Sequence, residues 1–125
     1  MNIEAMTALD MARRQIMPAC MDYAGKLAQI AYSLKQAGVS SGVPDGKLQR
    51  LVEDIEALQA CESRLEQAVS SSQSISDKYA RATACRDEVI VCMKELRLAA
   101  DRLETTLPSE SWPFPTYADL LYRVR

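Results

Sequence analysis

Apolar residues in the first third of the chain return every three or four positions: Met6, Leu9, Ile16, Cys20, Tyr23, Leu27, Ile30 and Leu34. That alternation puts them on one face of a helix and predicts a seam against a partner helix over residues 2–37. Arg13 holds the seam position between Leu9 and Ile16, a polar interruption. Pro18 lies inside the segment, where it removes a backbone donor, so a kink is expected one turn before it. At 1.5 Å per residue such a helix would span about 50 Å.

The string from Gly38 to Gly46 is dense in helix breakers and predicts a loop. A second helix follows over 47–71. Its seam is Leu48, Leu51, Ile55, Leu58, Leu65 and Val69, with Glu62 filling one slot. Serines from Ser70 to Ser76 predict a turn, and a third helix occupies 76–106. Tyr79, Ala82, Val89, Met93, Leu96, Ala100 and Leu103 form its seam, and Arg86 takes the charged slot. Ser76 or Asp77 could cap it, and Pro108 helps to stop it. Short connections force neighbouring helices to run antiparallel, so the expected fold is all-α: an up-down-up bundle of three long helices.

The tail, 108–125, breaks the pattern. It holds the only Trp and the only Phe, Trp112 and Phe114, between prolines that enforce an extended path. Thr116 and Asp119 then have capping-box spacing, with Asp in place of Glu, and open a short final helix. Trp112, Phe114, Tyr117, Leu120 and Leu121 are candidate packing or docking residues. They would plug one end of the bundle, dock a neighbouring subunit or domain, or do both. Met6 joins them. Methionines crowd the first helix, and its first turns reach past what a second helix of about 25 residues could cover.

Composition adds exclusions. The net charge is −2 and basic residues alternate with acidic ones, so the basic stripe that phosphate neutralisation requires is missing and nucleic acid is not an expected partner. No stretch is long and apolar enough to predict a membrane span. Glu4, Asp10, Arg13 and Arg14 break up any secretory apolar run, so the expected location is cytoplasmic. Cys20, Cys61, Cys85 and Cys92 form no C-x-x-C pair, and histidine is absent. The thiols therefore read as small buried hydrophobes rather than metal ligands.

Catalysis needs a nucleophile with its base, a metal cage or paired acids in a cleft. Without histidine, the commonest general base and metal ligand is gone, and there is no glycine-rich phosphate loop. Glu53/Glu56 and Glu62/Glu66 read as solvated helix surface beside Arg50, Arg64 and Gln67. The chain is expected to be non-catalytic, with no metal, cofactor or catalytic residue of its own. A start almost directly in helix suits a domain excised from a larger protein.

Two blocks resemble the C-terminal region of type III glutamine synthetases. One is N-I-E-A-M-T-A-L-D-M-A-R-R-Q-I-M-P-A, from Asn2 to Ala19. The other runs from Arg86 to Tyr122 and includes R-D-E-V-I-V-C-M-K-E-L-R, A-A-D-R-L-E and W-P-F-P-T-Y-A-D-L-L-Y. Together they cover a little under half of the chain, and the W-P-x-P-T-Y-x-D-L-L tail is the most specific part. Where the family pattern reads V-I-P, this chain has Val91, so a proline kink in the third helix is not carried over. The resemblance implies a parent that condenses glutamate with ammonia using ATP and a divalent metal, Mg or Mn, in a separate catalytic domain. No residue here matches a ligand of that chemistry. The role implied for this segment is accessory, in assembly or regulation, with the catalytic domain of the same polypeptide and neighbouring subunits as partners. A free-standing helical adaptor is the alternative, because a bundle does not specify function.

Overall fold

The computed structural model describes residues 2–40, 42–73 and 77–115. Among them the chain is helical throughout its regular structure, with no strand. Helix α1 (Asn2–Met11) passes through a π-helical turn (Ala12–Ile16) into α2 (Met17–Gln36). Helix α3 spans Gly42–Gln73. Helix α4 (Lys78–Ala84) passes through a second π turn (Cys85–Val89) into α5 (Ile90–Thr106), and a 3₁₀ turn (Ser109–Ser111) opens the tail.

The first π turn sits where Pro18 demands an irregularity. The backbone N–H of Met17 reaches five residues back to the Ala12 carbonyl. Widening the helix there relieves the clash a proline ring makes with the carbonyl four residues earlier. The turn also moves the buried stripe. The core residues are Ala5, Leu9, Ala12, Ile16, Cys20 and Leu27, so the inward positions are Ala5 and Ala12 rather than Met6 and Arg13. Met6 is 50% exposed, and Ile30, also expected in the seam, is 48% exposed.

The second π turn does the same in the third segment. Val89, Leu96, Ala99 and Leu103 are buried there, whereas Tyr79, expected in the seam, is 83% exposed and Ala82 and Arg86 face solvent. One extra residue in a helix of 3.6 residues per turn rotates everything before it by about 100°. Extrapolating the seam back from Val89 with an uninterrupted period therefore lands on the outer face.

The loop between α2 and α3 is shorter than its composition suggests. Gly38 is left-handed (φ 76°), Val39 N–H bonds the Leu34 carbonyl at 2.9 Å, and Gly38 N–H bonds that of Lys35 at 3.1 Å. This pair is the Schellman stop, which needs glycine at that position. Helix α3 then begins at Gly42, five residues before the predicted start. Pro44 falls in its first turn, where an N–H would have no intrahelical partner, and Asp45 suits the positive end of the helix dipole.

At 32 residues, α3 is long enough to pack against α1, α2, the second π turn and α5. It covers the start of the first segment, so Ala5 and Leu9 are buried rather than bare. Leu51, Leu58 and Leu65 are fully enclosed along its inner face. Arg13 pairs with Glu66, Cys20 lies within electrostatic reach of Asp54, and Arg64 pairs with Glu95.

Candidate docking groove

Leu107 leaves α5 in an extended conformation and the 3₁₀ turn packs against α2. Trp112 and Phe114 are thereby carried back onto the core, both half-buried, with ring centroids 6.0 Å apart and planes at 75°. That edge-to-face arrangement suits the quadrupoles of two aromatic rings. The pair and Pro115 line a groove of about 690 Å³. Its floor is apolar, formed by Ala8, Met11 and Ile16 on the first segment and Met93, Leu96 and Ala100 on α5. Its rim carries Glu4, Lys94, Arg97, Asp101 and Glu104.

Of the sequence candidates, Trp112 and Phe114 come together in this groove, while Met6 stands outside it on the surface of α1. Tyr117, Leu120 and Leu121 lie outside the described residues.

An ionic cluster that sequence reasoning treated as two unrelated features joins the first π turn to α3. Arg13 donates two hydrogen bonds to Glu66, Nη1 to Oε2 at 3.0 Å and Nη2 to Oε1 at 3.1 Å. Its Nε is 4.0 Å from Oε1 of Glu62. Glu62 is only 4% exposed, and its Oε2 has no hydrogen-bond partner. Glu62 is therefore not solvated helix surface. Burial raises its pKa, with Arg13 opposing, whereas the hydrogen bonds and charge of Arg13 hold the Glu66 carboxyl below its usual range. The available signal was the polar residue in the seam of each segment, Arg13 and Glu62.

Cys20, Cys61 and Cys92 are free thiols. Burial pushes Cys20 up to about 11, with Asp54 adding to the effect, so it stays a protonated, unreactive core group. Arg64 donates to Cys61 Sγ at 3.2 Å while its own partner is Glu95 at 2.9 Å. Among the described residues, no three of His, Cys, Asp and Glu converge as a metal site. No described helix is long and apolar enough to cross a membrane.

The chain is 26% identical over 127 residues to the type-3 glutamine synthetase of Dictyostelium discoideum. The likeness takes in 97% of this chain but only 17% of that relative's length. It amounts to a distant relationship with a region of that enzyme. No family model matches the chain, and no solved structure matches it.

Proposed function

We propose that this chain is a non-catalytic accessory segment from the C-terminal part of a type III glutamine synthetase, serving assembly or regulation. The observation that carries the reading is the likeness to the Dictyostelium enzyme along almost the whole chain. The W-P-F-P-T-Y-A-D-L-L-Y tail supports the C-terminal placement. In this reading the parent is cytoplasmic and joins glutamate to ammonia with ATP and a divalent metal, Mg or Mn, in a catalytic domain elsewhere on the polypeptide. This segment packs on that domain and on neighbouring subunits.

Its architecture in this reading is an antiparallel three-helix bundle, α1–α2 up, α3 down and α4–α5 up. The cross-helix pairs support that topology. From Arg13–Glu66 to Cys20–Asp54, residue numbers rise along the first segment as they fall along α3.

An antibody against the segment tests the reading on native extract. A band several times larger than 13.9 kDa is expected. A single band at the size of the segment would remove the synthetase reading and leave the free-standing adaptor. The purified 125-residue chain is expected to form no glutamine from glutamate, ammonia and ATP.

A further inference from the structure

Four charged residues form one stripe along α5: Lys94, Arg97, Asp101 and Glu104. Their spacing of three, four and three keeps them on one face, and that face is the α5 rim of the groove. Two bases come first and two acids follow. Among the described residues, none of the four has an ion-pair partner within the chain, whereas neighbouring Glu95 is held by Arg64. We propose that this stripe is an interface with a second copy of the chain, whose α5 lies antiparallel on it about a two-fold axis level with Ala99.

The spacing fixes the register. Lys94 and Glu104 each stand five residues from Ala99, and Arg97 and Asp101 each stand two. Antiparallel pairing about that level sets Lys94 of each copy opposite Glu104 of the other, and Arg97 opposite Asp101. Other registers are opposed. A slip of one heptad sets Asp101 against Glu104 in one direction and Lys94 against Arg97 in the other. Parallel pairing sets each charge against its own copy.

The apolar surface agrees with this placement. Leu98 is 62% exposed beside the stripe and one residue from the two-fold level, so the two copies' Leu98 side chains meet across the seam and leave water. A helix seated on this rim also covers the groove floor at Met93 and Ala100. The other charges of α5, Glu95 and Arg102, fall about 100° round the helix from Lys94 and Asp101, off the stripe. Glu4, the remaining charge on the groove, stands on the opposite wall, in the first turn of α1. The inference is independent of the synthetase reading, because the pattern lies within α5.

Sedimentation velocity of the 125-residue chain tests it. A species of twice 13.9 kDa should grow with concentration and weaken as salt is added. The Lys94→Glu/Arg97→Glu double variant makes the stripe wholly acidic, and Asp101→Lys/Glu104→Lys makes it wholly basic. Each alone should keep its helical circular dichroism and dimerise with a dissociation constant raised about a hundredfold or more. An equimolar mixture of the two should restore the dimer, which loss of folding in either variant could not do. A wild-type chain that stays monomeric at every concentration would overturn the proposal. So would double variants that dimerise alone as the wild type does, or a mixture that stays monomeric.

Discussion

Glu62 and Arg13 sit in one contact, yet removing each should have opposite consequences. Glu62 is buried with one oxygen unpartnered, and Arg13 directs both of its short hydrogen bonds to Glu66 instead. Replacing Glu62 by methionine relieves a desolvated carboxylate and leaves Arg13 its bidentate partner. Arg13 is part-exposed and keeps Glu66, so no buried charge is left uncompensated, and Glu62→Met should raise the melting temperature at pH 7 or leave it unchanged. Arg13→Met strips the nearest cation from a buried acid and should cost about 1–2 kcal/mol in chemical denaturation, the half-exposed geometry keeping it below a fully buried pair.

The pH dependence follows from the directions of the two shifts. The folded pKa of Glu62 is raised, so its contribution is present below the unfolded value and lost as pH rises through the folded one. Glu66 is lowered, so its contribution is present above the unfolded value and lost as pH falls through the folded one. The advantage of Glu62→Met should therefore shrink between pH 7 and pH 4. An advantage that grows on acidification would contradict this assignment.

At the scale of elements, the two π turns are the features that place every seam residue before them. The first ends two residues before Pro18 and the second two residues before Val91, an exposed position. A proline at Val91 would meet a helix already widened in the register that accommodates Pro18. Val91→Pro should therefore cost clearly less than the ~3 kcal/mol of a proline in a regular helix interior. Leu98→Pro, at an exposed site inside the regular part of α5, should cost the full amount. Urea denaturation of the two variants decides it, and equal losses would remove the π-turn explanation. The turns were only half legible in the sequence. Pro18 announced the first, but the second has no proline, and the spacing of Tyr79, Ala82, Arg86 and Val89 keeps an unbroken three-and-four period across it.

For the whole molecule, the stretch from Leu107 to Phe114 adds to the core that the helices form. Trp112 and Phe114 pack on core residues, so truncation after Ser109 should lower the melting temperature by several degrees, as a loss of ~1–3 kcal/mol does in a domain of this size. Trp112→Ala alone should account for a large part of that loss, and a melting temperature unchanged by either would place the aromatics outside the stabilising core. The groove they frame could not be read from sequence. The aromatic residues and prolines were visible, but the other wall, Met11, Ile16, Met93 and Ala100, is assembled from positions more than seventy residues apart in the chain.

Sequence alone determined the helical class, because a three-and-four spacing of apolar residues and a low content of strand-formers act locally on every turn. It also marked the helix stop at Gly38, where one residue type satisfies the backbone, and the absence of histidine chemistry. Only the tertiary structure decided which residue of each neighbouring pair turned inward, Ala5 over Met6 and Ala12 over Arg13. A single inserted residue rotates a helix by more than a quarter turn, and packing against α3 selects the phase that buries the smaller, apolar side chain. The same packing brought Glu62 into the interior beside Arg13, a pairing that depends on how two helices align across 49 residues of chain, beyond the reach of any local pattern.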